Sequence, residues 1–127
     1  MAGVFEPALE SDELLEAIRV PRLSPGRRWG FYKFCRKAGE FAHAIGAVLF
    51  DPERAVCRAV IGATESTPIV VPDAAPLFAG RPEDGLARNY DSALTATLLD
   101  DRGIEDLFQR QIHLVALERA VHFASGP

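Results

Sequence analysis

At 127 residues the chain has room for one domain with a real core, since domains of about 100–150 residues are the commonest size. Its 48% hydrophobic and 25% charged content lies in the ordinary globular range and argues against wholesale disorder. A net charge of −4 argues against a general nucleic-acid binder, which needs clustered Lys and Arg to neutralise phosphate.

No stretch approaches the roughly 20 continuous apolar residues of a membrane span. The first fifteen residues, MAGVFEPALESDELL, lack the basic and apolar regions of a secretory signal. The two cysteines, Cys35 and Cys57, fall in segments read as strands and are expected as free thiols, which suits a cytoplasmic location. Against the acidic remainder stands a basic cluster of Arg19, Arg22, Arg27, Arg28, Lys33, Arg36 and Lys37. It reads either as a solvated basic stripe or as a site facing an anionic cofactor or partner.

Residues 11–21 admit two readings. Ser11 before DELLEAIR is suited to cap a helix with acids in its first turn, whereas Leu14, Ile18 and Val20 share one face of an alternating strand that Pro21 stops. Ser24-Pro25-Gly26 is a turn signal, with φ fixed at Pro and free at Gly. The boundary between a leading segment, 1–28, and the main domain, 29–127, is placed there. Trp29 to Phe50 organises that domain: an aromatic and basic strand, a break at Ala38-Gly39-Glu40, then a near-unbroken apolar strand. Asp51 to Arg54 supplies a tight connection, Ala55 to Gly62 a third strand and Pro68 to Val71 a short fourth.

Asp73 then caps a short helix that Gly80 ends in left-handed conformation. Leu86, Tyr90, Ala93, Leu94, Thr97 and Leu98 recur at helical spacing and predict one helix over about 83–99. A last helix runs from Ile104 to about Ala124, with Ile104, Leu107, Phe108, Ile112, Val115 and Val121 on its apolar face. At 1.5 Å per residue it spans about 30 Å, enough to cross a sheet. The fold class is therefore α+β: an antiparallel sheet of three to four strands followed by about three helices packed on it.

The residues alone give little chemistry. His43, His113, His122, Cys35 and Cys57 form neither a CxxC nor an HxxxH pair, and no glycine-rich phosphate loop is present. Strand alternation puts Lys33 on one side with Phe31, Cys35 and Lys37, and Tyr32, Phe34 and Arg36 on the other. Lys33 reads as an exposed strand lysine, Phe41 as a core aromatic, and Glu40 as a turn cap or a partner of Arg36. Arg119 falls by angle on the apolar side of the last helix, where it needs an ion-pair partner.

Tyr32-Lys33, Arg36-Lys37, Gly39-Glu40-Phe41-Ala42 and Gly46 resemble the Y-K-x-x-R-R-x-G-D-F-A signature that opens the C-terminal domain of the FAD-binding subunits of molybdenum hydroxylases, the carbon monoxide and xanthine dehydrogenase family. Gly3, Phe5, Ala8, Leu9, Asp12, Glu13, Leu14, Ile18 and Pro21 resemble the end of the family's preceding FAD-binding domain, with Pro7 where Thr is common. There the resemblance implies an extended segment rather than a helix. Gly62-Ala63 with Thr67-Pro68, the pair Leu77 and Gly80, and Phe108 to Arg119-Ala120 continue the resemblance. Val70, Phe108 and Gln109 replace the family's Arg, Tyr and Arg.

The resemblance implies the C-terminal portion of a flavoprotein subunit, helping electron transfer through FAD and subunit assembly and not catalytic alone. It places Lys33 and Phe41, with the adjacent Glu40, at the flavin. FAD is then expected only in an assembly with the missing FAD-binding portion, and none in the isolated chain. The implied partners are that portion, an iron–sulfur subunit and a molybdenum subunit, with a homo-oligomer left open. The other reading is a stand-alone assembly module that has lost flavin binding.

Overall fold

The computed structural model describes residues 9–126; Gly3, Phe5, Pro7 and Ala8 of the leading segment lie outside them. Four antiparallel strands, β1 (Arg28–Phe34), β2 (Ala44–Asp51), β3 (Val56–Gly62) and β4 (Ile69–Val71), lie side by side in chain order. The expected α+β layout is the one observed. Three helices follow: α1 (Leu86–Asn89), α2 (Ser92–Asp100) and α3 (Leu107–Ser125). Short 3-10 turns at Pro52–Arg54, Ala75–Phe78 and Pro82–Asp84 punctuate the chain, each with Pro at a position that needs no backbone donor.

Strict alternation along the strands gives the sheet two unlike faces. Val48, Phe50, Cys57, Ala59, Ile61 and Ile69 point to the helices and are buried with Leu77, Phe78, Leu86, Leu99, Leu117 and Val121. Both cysteines are free, and burial pushes the Cys57 thiol up to about 11, with further elevation from the nearby charges of Asp73 and Glu83.

α3 lies across β1 and β2, and glycine makes that closeness attainable. A Cβ on Gly30 would sit 1.9 Å from the carbonyl oxygen of Ala120, and one on Gly46 would sit 2.3 Å from that of Ala116. The buried stripe of α3 is accordingly His113, Ala116, Leu117, Ala120, Val121 and Ala124. This corrects the phase expected from the large apolar residues: Leu107 and Phe108 are exposed, while Ile112 and Val115 are half-buried. Close approach to a sheet selects small side chains, so alanines carry the contact that a hydrophobicity reading gives to leucine and phenylalanine.

Two further expectations change. The single helix over 83–99 is broken, because Tyr90 is extended and Asp91 starts α2, its carboxylate accepting the Ala93 and Leu94 N–H groups at 2.8 and 3.3 Å. Tyr90 turns inward instead, its hydroxyl 2.9 Å from that of buried Thr95. Residues 13–24 form neither the capped helix nor a paired strand, and Leu14, Leu15, Ile18 and Val20 are exposed.

The end of this leading segment is nevertheless tied to the sheet. Asp51 is fully buried and accepts the Ser24 N–H at 2.9 Å and the Ser24 hydroxyl. Burial by itself would raise the Asp51 pKa, but these hydrogen bonds, with help from Arg54, hold it below the usual carboxylate value. Arg54 also donates to the Arg22 carbonyl and Glu53 accepts the Gly26 N–H at 3.3 Å, so Asp51, Glu53 and Arg54 grip the incoming chain at three points.

Candidate functional site

Lys33, Glu40 and Phe41 meet at the β1–β2 turn. His43 N–H donates to the Phe34 carbonyl at 2.8 Å and closes the hairpin, and Gly39 supplies the positive φ of 87° that the turn requires. Glu40 caps the turn, its carboxylate accepting the Lys37 N–H at 3.1 Å; among the described residues it makes no ion pair with Arg36. Lys33 Nζ donates to the Glu40 carbonyl at 2.8 Å, which fixes the ammonium at the turn and leaves two of its three donors free.

Phe41 is not a core residue. Its ring is 93% exposed and borders a shallow cleft of about 310 Å³ shared with Arg36, Glu40 and His43. Ordering a bare phenyl ring in water gains nothing in a lone domain, so the position makes sense as a contact surface. The turn brings Lys33, Glu40 and Phe41 to one corner, and Lys33 is exposed there, as its reading as a strand lysine has it.

The corner adjoins a feature that residue-by-residue reading missed. Opposite the helices, Trp29 and Phe31 of β1 are 60% and 48% exposed, and register aligns Phe31 with Ala47, Val60 and Val70 across all four strands. Trp29 aligns with Leu49 and Arg58, and Lys33 with Ile45 and Gly62. On this face Val70 is exposed as well, while Ile45, Ala47, Leu49 and Val60 are half-buried. The signal was present in the alternation of β1 and β2, where both faces read apolar, the pattern of a sheet covered on both sides.

On the helix side, Arg119 is exposed rather than buried. Its guanidinium lies 4.8 Å from the centre of the Tyr32 ring and donates to the Tyr32 hydroxyl at 2.5 Å, so a cation–π contact replaces the expected ion pair. Among the described residues no three His, Cys, Asp or Glu side chains gather closely enough to hold a metal ion. No helix among them is long and apolar enough to cross a membrane.

The chain is similar to a carbon monoxide dehydrogenase medium chain. It is 33% identical over 131 aligned positions to the protein of that name from Afipia carboxidovorans, across 98% of this chain but 45% of the relative. The chain therefore spans less than half the length of the curated relative it matches. No family model matches it, and no solved structure does.

Proposed function

We propose that this chain is the C-terminal portion of an FAD-binding subunit in a molybdenum-containing hydroxylase. In this reading the flavin is held mainly by polypeptide outside the chain. The similarity to a medium chain supports the class of protein. The single structural observation that supports the role is the outward-facing pair of Lys33 and Phe41 at one corner of an uncovered apolar sheet face.

The corner suits one edge of a flavin ring and not a whole dinucleotide. The Phe41 ring borders the open cleft and the Lys33 ammonium is fixed beside it on the Glu40 carbonyl, but there is no glycine-rich backbone cradle for a pyrophosphate. When bound there, FAD supplies the electron-carrying chemistry. Phe41 would cover a ring face and keep water from it, and Lys33 would hold positive charge beside the ring and favour its negatively charged reduced form. Glu40 would position Lys33 through its carbonyl and keep the turn in shape through its carboxylate.

Iron–sulfur and molybdenum subunits, as in the family that the signature resembles, are the partners this role implies. A flavin-free assembly module is the second reading. The bare face around Trp29 and Phe31 favours it, since such a surface demands a partner whether or not a cofactor is present. The test is co-expression with the FAD-binding portion of a medium chain, followed by gel filtration. Co-elution with stoichiometric flavin, and a colourless chain when expressed alone, is the expected result. Co-elution without flavin supports the module, and a yellow isolated chain defeats both readings.

A further inference from the structure

β1 ends the sheet. It pairs with β2 along one side, and among the described residues no strand pairs with its other side. The features that usually blunt such an edge are missing. Register with β2 runs without a bulge from Arg28 to Phe34, and the strand holds no proline. Both of its charges are engaged within the chain. Arg28 donates to the Pro82 and Glu83 carbonyls and lies 4.9 Å from the centre of the Phe50 ring, and Lys33 donates to the Glu40 carbonyl. Exposed rings flank the edge on both faces: Trp29 and Phe31 on one, and on the other Phe123, 61% exposed and 6.3 Å from the Tyr32 ring.

The order of residues in β1 selects what pairs with it. In an antiparallel ladder two opposed residues either exchange hydrogen bonds or both do not. A strand pairing with its own copy about a two-fold axis therefore keeps odd residues opposite odd and even opposite even. An axis at Phe31 sets Arg28 opposite Phe34, Trp29 opposite Lys33, Gly30 opposite Tyr32 and Phe31 opposite itself. Each cation then faces an aromatic ring, and no like charges meet. An axis at Gly30 would instead oppose Arg27 to Lys33, and one at Tyr32 would oppose Arg28 to Arg36. Both are destabilising like-charge pairs, and larger shifts shorten the ladder.

We propose that β1 pairs with itself: two copies of this chain join antiparallel about a two-fold axis at Phe31 and form one continuous eight-stranded sheet. Both sets of helices then lie on one face, and the two apolar faces run together on the other. Trp29 of the second copy packs against the methylene stem of Lys33, whose ammonium stays on the Glu40 carbonyl. The pairing goes beyond the flavin reading and does not depend on it.

Sedimentation equilibrium of the full chain, with no flavin present, should show a monomer–dimer equilibrium that shifts with concentration. Phe31→Lys sets two ammonium groups against each other at the axis and should weaken the dimer at least about tenfold. Trp29→Lys and Trp29→Glu test the register, because residue 29 faces Lys33 of the second copy twice in each dimer. Both remove the same ring, yet the glutamate variant should dimerise at least about tenfold more tightly than the lysine variant. Phe31 and Trp29 are exposed, so the fold is retained, which a circular-dichroism melt checks. A chain that stays monomeric at every concentration, a dimer indifferent to Phe31→Lys, or equal losses in Trp29→Glu and Trp29→Lys, the mark of face-to-face contact, would each overturn the proposal.

Discussion

Gly46 and Gly39 are both glycines for different reasons, and the difference is measurable. At Gly39 an added Cβ meets nothing within 4 Å, so Gly39→Ala costs only its left-handed backbone, roughly 1–2 kcal/mol. At Gly46 the added methyl runs into the Ala116 carbonyl and the Leu117 Cα, so α3 must lift off the sheet. That overpacking should exceed about 3 kcal/mol, the upper end for ordinary cores, because the obstacle is backbone. Urea midpoints of the two variants should fall in that order. His113 supplies a pH signature. Its folded pKa lies below the unfolded value of about 6.5, so the stability it contributes is complete above that pH. That stability is lost as pH falls from about 6.5 through the lower folded value, because only the unfolded chain binds the proton at first. Glu65, Glu105 and Asp106 line one cleft together with His113. Urea midpoints at pH 7 and pH 5 should differ less in His113→Phe than in the parent, and an unchanged difference would show that His113 does not titrate in this range. Alternation along β1 made the placing of Lys33 legible in the sequence. The exposure of Phe41 was not, because an aromatic between Glu40 and Ala42 reads equally well as core until the turn's geometry puts it outside.

α3 is the element on which the sheet depends. Removing residues 104–127 would strip Leu117 and Val121 from the core and uncover the helix side of β1 and β2. Each large apolar side chain contributes about 1.5–3 kcal/mol on burial, against a typical total of about 5–15 kcal/mol. The truncated chain should lose its cooperative thermal transition; a sharp melt would make α3 an appendage. Strand order and the existence of α3 were readable because the Gly-Glu and Asp-Pro breaks separate long apolar runs. The face of α3 was not, since the glycines that dictate it lie about 70–90 residues away in sequence. The break at Tyr90-Asp91 escaped for a related reason: helical periodicity continues across it, and only the Asp91 cap and the inward Tyr90 hydroxyl reveal two helices. Ser125 adds a tie that no local pattern announces, accepting the Ala87 N–H at 2.9 Å and so joining the start of α1 to the end of α3.

As a whole the molecule has one packed side and one waiting side. Its helices seal one face of the sheet, while Trp29, Phe31 and Val70 stay exposed on the other, with Lys33 and Phe41 at its corner. Fold class was legible from composition and periodicity, whereas the proposed flavin role came only through the Y-K-x-x-R signature, since neither Lys33 nor Phe41 shows cofactor chemistry by itself. The most direct test is the flavin midpoint potential in the co-expressed assembly, measured for the parent and for Lys33→Ala. Loss of one water-facing charge is worth about 1 kcal/mol or less, which for a two-electron couple is on the order of 20 mV. The potential should move to more negative values by about that much, with the melting temperature of the domain unchanged. An unaltered potential in an assembly that still holds flavin would contradict the placing of Lys33 at the ring.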